Sequence, residues 1–251
     1  MLPFRDEAAC AARAIAKADI GRREPSHHPQ STIRAIEAPE AFYDALADDI
    51  LGRMLAAVEA GRPFVGLFPV GPVGRYERLV EEVLNRGVTL DHCHLFFLDE
   101  YADEDGRTVD KQSPWSFEFV AHRQLLHHVW QAGLDPARVC FPGPDNIARY
   151  DELVLEASQG RGADVVYGGV GWCGHFAFWE PHLRDEFASE GEWRQAHSAF
   201  VRLHPMGVLH NSLRAGGAGL RSHHVPAQSG RDSCLALSGG ASGWTPTWDR
   251  R

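Results

Sequence analysis

The stretch "GGVGWCGHFAFWEP", residues 168–181, sets a thiol, an imidazole and a carboxylate behind a glycine-rich turn. Cys173 and His175 are two positions apart, and Glu180 follows. An imidazole changes charge near neutral pH, so His175 suits general acid/base work. A carboxylate such as Glu180 would orient that ring and make it more basic. The plainer alternative is a capping histidine beside a surface glutamate. Cys173 would be a nucleophile if His175 activated it. The i, i+2 spacing serves proton transfer poorly, so a small residue filling a tight turn is the preferred reading of Cys173. Gly169, Gly171 and Gly174 allow the backbone to pass close to a ligand.

Two further places carry chemistry at the end of an apolar run. Asp99 and Glu100 follow "LFFL". Adjacent residues on a strand point to opposite faces, so at most one of the two acids faces a given pocket. A carboxylate partly buried at a strand end can act as a base, and two solvated turn residues are the alternative. In "FPVGPVGRYERL", Gly71 and Gly74 lie between an apolar run and a helical pattern. Backbone N–H groups at such a helix start suit a phosphate, and Arg75 would add positive charge. The spacing matches neither common nucleotide-binding fingerprint, Pro72 removes one donor, and an ordinary strand-to-helix turn fits equally. "HCH" at 92–94 offers two imidazoles on one strand face and Cys93 on the other; two ligands do not make a zinc site, so no metal is expected.

The elements that would position these groups alternate. Helical spacing covers residues 40–60, 75–87, 116–132 and 146–160, the last with Asn146 as its cap. Apolar strand-like runs cover 62–70, 92–101, 138–143 and 163–171. This order predicts an α/β fold, a doubly wound, mostly parallel Rossmann-like sheet with helices on both faces. Ligands in such sheets bind outside the carboxyl ends of the strands. Residues 70–74, 99–100 and 168–180 all follow strands and are expected to meet at one crevice. Residues 182–213 receive no assigned element. Residues 1–213 are read as a single domain and 214–251 as an irregular or disordered tail, with "CLAL" its one strand-like run.

Composition narrows the classes. The formal charge of −9 argues against a nucleic-acid partner. No apolar run approaches a membrane span, and the charged N-terminus does not read as a secretory signal. Five cysteines at irregular spacing form no disulfide framework, so a reducing cytoplasm is the expected setting.

Taken together, these stretches resemble the glucosamine-6-phosphate deaminase (isomerase) family, which includes the 6-phosphogluconolactonases at greater distance. "FLDEY" resembles its Asp-Glu-Tyr strand end, and "GGVGWCGHFAFWEP" its glycine–histidine signature ending in Ala-Phe-x-Glu-Pro. "SPWSFEFVAHRQLLHHV" and "LFPVGPVGRYERLVEE" sit where the family carries its Pro-x-Ser-Tyr segment and first phosphate loop. The match covers roughly residues 35–212. The resemblance implies that His175 moves the ring-oxygen proton as the sugar opens, with Glu180 orienting it. Asp99 then shuttles a proton between C2 and C1, and ammonia leaves. It implies substrate contacts from Gly71, Gly74, Arg75, Glu100, Gly169, Gly171, Cys173 and Gly174, and calls for no metal or organic cofactor. The expected partner is a small-molecule sugar phosphate; a homo-oligomer is compatible with the reading. A lactonase-type hydrolase and a non-catalytic sugar-phosphate sensor are the alternatives.

The chain departs from the family in three places. Cys173 stands where the family has aspartate, and a neutral thiol cannot stabilise an imidazolium as a carboxylate does. The first phosphate loop is short and has no hydroxyls. After Arg214 the composition changes abruptly, as a shifted reading frame or a truncation would produce, so the sheet is expected to be incomplete at the C-terminus.

Overall fold

The computed structural model describes residues 34–70, 76–103, 105–171, 174–214 and 233–236. Gly71, Gly74, Arg75 and Cys173, and most of the 214–251 tail, lie outside the described residues. The chain divides into two units, and residues 43–246 carry the sheets and the site.

Strand β1 (Phe64–Phe68) is the five-residue run "FVGLF", buried throughout, as a central strand covered on both faces must be. It pairs in parallel with β2 (Cys93–Phe97) from Phe64↔Cys93 to Phe68↔Phe97. The register separates two cores by the strand period. Phe64, Phe68, Cys93, Leu95 and Phe97 pack on one face, with Ile50 and Leu51 of helix α1 (Pro39–Glu59) and Leu79 and Val83 of α2 (Glu77–Asn85). On the same face lie Leu125 and Leu126 of the helical run that starts as α3 (Phe117–Ala121) and passes through a π-helical turn (His122–Leu126). Val65, Leu67, Phe96 and Leu98 pack on the other face against Tyr150 and Val154 of α4 (Tyr150–Ala157). Each such buried aliphatic side chain contributes roughly 1.5–3 kcal/mol relative to exposure. Helices therefore cover both faces, as the alternating pattern predicts.

Strand β3 (Asp99–Ala102) leaves this sheet, whose remaining members are β4 (Val139–Cys140) and β5 (Val165–Val166). The order is β4-β2-β1-β5, and every pairing is parallel. The chain moves outward from β1 to β2 and β4, then crosses back to put β5 on the other side. That reversal makes a topological switch point between β1 and β5 at their carboxyl ends.

Three sequence expectations change. Residues 92–101 are two strands, not one: Leu98 N–H donates to Phe68 O as the last rung of the parallel sheet, after which β3 joins a second sheet. That sheet is antiparallel, ordered β3-β7-β6, with β6 (Ala199–Arg202) and β7 (Ser233–Ala236) both pairing from distant sequence. Asn146 does not cap α4; its Oδ1 accepts from Gly143 N–H and its Nδ2 donates to Phe141 O, which pins the loop after β4. The start of β6 is tied to α4 by Ser198, whose hydroxyl donates to Asp151 beside His197.

Candidate active site

Because β2, β1 and β5 run parallel, their following segments emerge along one edge. Asp99 follows β2, Pro69 and Val70 follow β1, and the segment that holds His175 and Glu180 follows β5. Asp99, His175 and Glu180 therefore leave the sheet on the side where such folds bind ligands, on either side of the switch point. An open groove of about 590 Å³ lined by Val83, Leu84, Asp91, Gln131 and Gly133 lies at the opposite, amino-terminal edge, away from these groups.

Asp99 is 8% exposed and Glu100 2%. The two diverge as strand geometry requires. Glu100 turns to the start of α3, where Oε1 accepts from Tyr101 N–H (2.9 Å) and Phe117 N–H (3.0 Å). Its Oε2 accepts from the Ser116 hydroxyl (2.9 Å) and Glu118 N–H (2.9 Å). Ser116 in turn accepts from Phe119 N–H as the cap of α3. Burial pushes the Glu100 carboxyl up, and the hydrogen bonds from Phe117, Glu118, Tyr101 and Ser116 oppose that rise. An anion at a helix start meets orphan N–H groups and the positive end of the helix dipole. Glu100, expected among the ligand contacts, thus has both carboxylate oxygens engaged by Tyr101 and the start of α3. The Asp99 charge is felt by the buried Tyr150 hydroxyl, whose one proton is shared between Phe97 O and Cys140 O at the ends of β2 and β4.

The loop after β5 is folded on itself. Gly171 N–H donates to His175 O, Gly174 N–H returns to Gly171 O, and Phe176 and Trp179 exchange backbone bonds. Gly174 has φ +83°, and Gly169 is exposed. Gly171 is required by contact rather than by conformation: a Cβ there would lie 2.2 Å from His175 Nε2. The imidazole of His175 is thereby seated on bare backbone, 9% exposed.

Helix α5 (Glu190–Arg194) is followed by α6 (Pro205–Arg214), and both His175 and Glu180 lie against α6. The His175 ring lies 5.1 Å from the His210 ring, centroid to centroid. Glu180, 2% exposed, lies against Gly207, where a Cβ would stand 1.8 Å from Oε1. Positions 207 and 210 are one turn apart on the same helix face, so both site residues abut that face. Glu180 Oε2 accepts from His204 N–H and lies 3.5 Å from His182 Nδ1. His182 Nε2 is 3.1 Å from Arg202 O, which assigns the proton to Nε2 when the ring is neutral and leaves Nδ1 facing the carboxylate. Burial lowers the pKa of His182 and so favours that neutral form.

We expect Gly207→Ala to lower the melting temperature. Alanine would gain up to about 1 kcal/mol of helix propensity, but it displaces a buried carboxylate from its donor, a loss of about 1–3 kcal/mol or more. A thermal melt checks the sign; a rise would show that Glu180 is not held against position 207.

His182, His204 and His210 are the site-lining residues missed from sequence. Pro205 was an available signal, since proline is favoured at the first position of a helix. Of the "HCH" segment, His92 Nε2 is 3.0 Å from Met54 O, and the buried Cys93 thiol is pushed up to about 12. Among the described residues no group of three or more His, Cys, Asp or Glu side chains has metal-holding geometry, and no helix is long and apolar enough to cross a membrane.

Two curated glucosamine-6-phosphate deaminases from strains of Porphyromonas gingivalis are 31% and 32% identical to the chain over 149 residues, 57% of this chain and 55% of each relative. A glucosamine-6-phosphate deaminase of Drosophila pseudoobscura pseudoobscura is 30% identical over 125 residues, 48% of this chain and 43% of that one. The chain spans about half the length of the curated relatives it matches. No family model matches it. A solved monomeric glucosamine-6-phosphate deaminase aligns with TM-score 0.53 at 20% identity, over 78% of this chain and 73% of that one. A 6-phosphogluconolactonase from Thermotoga maritima aligns with TM-score 0.50 at 14% identity, over 81% and 75%. The chain is therefore similar in sequence to glucosamine-6-phosphate deaminases, and it has the α/β fold seen in both kinds of enzyme.

Proposed function

We propose that the chain acts on an amino-sugar phosphate, with glucosamine 6-phosphate the first candidate, by ring opening, C1/C2 proton transfer and release of ammonia. The observation that carries this reading is the placement of Asp99 and His175 after β2 and β5, on either side of β1, in a chain similar to deaminases. In this reading His175 passes a proton to the ring oxygen as the sugar opens. Asp99 takes the proton from C2 and returns it to C1. The nitrogen then leaves as ammonia and water supplies the ketose oxygen. Glu180 holds the loop and the imidazole in place. The turn Gly169, Gly171, Cys173 and Gly174 and the loop Gly71, Gly74 and Arg75 are assigned to substrate, with Arg75 as the cation for the phosphate. Cytoplasmic work with a small-molecule partner fits the buried thiols Cys93 and the half-buried Cys140, which are free.

The test is ammonia and ketose-phosphate production from glucosamine 6-phosphate by the purified chain, with Asp99→Asn as control. Turnover that disappears in the control supports the assignment. Lactone hydrolysis without ammonia release would instead support a lactonase. A melting-temperature rise with sugar phosphate and no turnover would support a sensor.

A further inference from the structure

Helix α6 holds the surface against which both His175 and Glu180 sit, and its first turn is built around one residue. His204 O accepts the first intrahelical bond, from Val208 N–H at 3.0 Å. The His204 imidazole accepts from Met206 N–H through Nδ1 at 3.1 Å. Pro205 occupies the first helical position, where its missing N–H costs nothing. His204 is thus the N-cap of α6, with an imidazole in the place usually taken by a Ser, Thr, Asp or Asn oxygen. The same residue's N–H donates to Glu180 Oε2. Its ring also packs 5.3 Å from that of His182, centroid to centroid, and His182 also lies beside Glu180.

One residue therefore ties three things together: the start of α6, the carboxylate of Glu180 and, through the helix, the face at Gly207 and His210 that receives Glu180 and His175. We propose that His204 is a positioning residue of the site, fixing His175 and Glu180 by capping α6 with its neutral Nδ1. The proposal rests on reading His175 and Glu180 as site residues, but its geometric content is independent of any substrate. Loss of the cap frees the Met206 amide and lets the first turn of α6 fray, so the Gly207 contact to Glu180 is lost first. The His210 contact to His175, one turn further on, loosens next. Misplacement of a reacting group by about 1 Å can cost on the order of 10²-fold in rate, so a partial loosening is expected to cost about tenfold.

The first measurement needs neither a variant nor turnover. Nitrogen NMR of the imidazole of His204 in the wild-type protein at alkaline pH should show Nδ1 without a proton and Nε2 carrying it. A proton on Nδ1 would overturn the proposal, because a protonated nitrogen cannot accept from Met206. The second measurement compares His204→Leu with His204→Asn. Leucine removes the cap; asparagine restores an acceptor of the preferred kind. In His204→Leu, amide exchange at Met206 and Val208 should quicken by about fivefold or more, and the His175 ring signals should shift. His204→Asn should return both toward wild type. Where the protein turns over glucosamine 6-phosphate, kcat should fall about tenfold in the leucine variant with KM little changed, and recover in the asparagine variant. Equal exchange and unchanged His175 signals in all three proteins would overturn the positioning role. Absence of turnover in the wild type would count against the proposed reaction alone, since the tautomer, exchange and ring signals decide the role of His204 without it.

Discussion

His175→Ala is expected to lower turnover of glucosamine 6-phosphate by about 10²–10⁴-fold, the range for loss of a positioned general acid or base. The fold should survive, because His175, though buried, lies in the loop after β5 rather than in either face of the parallel sheet. A second substitution separates the imidazole's chemistry from its placement. Gly171→Ala keeps His175 but puts a methyl group 2.2 Å from Nε2 and 2.3 Å from Cε1, far inside contact distance. The ring must leave its seat. Gly171→Ala should therefore approach the rate loss of His175→Ala while all acid/base groups remain present. The kinetic comparison is of kcat/KM for both variants, with thermal melts to confirm that each is folded. Full activity in Gly171→Ala would mean that the ring does not rest on residue 171 during turnover. Full activity in both would remove His175 from the mechanism.

The chemistry was legible because it sits at strand ends, and strand ends are marked by local sequence. "FVGLF" and "CHLFF" are mostly apolar runs of strand length, and a glycine or an acid follows each within three residues. The edge at which Asp99 and the His175 loop emerge follows from the parallel order, which the strand–helix alternation predicts. What was not legible depends on distant pairing. Nothing near Leu98 announces that the chain leaves one sheet there. Asp99–Ala102 is a strand only because residues 233–236 lie beside it, and those residues bridge it to β6. The role of Glu100 was hidden for a related reason. A strand pattern says that it faces away from Asp99, but not that a helix starting 17 residues later supplies its donors. The contribution of α6 was missed because a histidine is not a usual N-cap, so Pro205 alone was left to mark the helix.

Glu100→Gln tests that hidden role. The substitution changes one oxygen to an NH₂ group and leaves size nearly constant. An NH₂ in the Oε1 place would face the N–H groups of Tyr101 and Phe117, neither of which can accept. In the Oε2 place it would face Glu118 N–H, which cannot accept, and the Ser116 hydroxyl, which can rotate to do so but already accepts from Phe119. Either orientation leaves one or two buried donors without an acceptor, at about 1–3 kcal/mol each. The negative charge at the start of α3 is lost as well. Together these predict a loss of about 2–4 kcal/mol and a melting temperature lower by about 5–15 °C for a chain of this size. Asp99→Asn, one residue earlier on the same strand, is expected to reduce turnover, the effect proposed for Asp99. The pair thus asks whether stability follows Glu100 and turnover follows Asp99. The measurement is a melt of the two variants beside the wild type. A melt for Glu100→Gln within two degrees or so of wild type would mean that the α3 start does not depend on an anion, since even one orphaned donor should move it further than that.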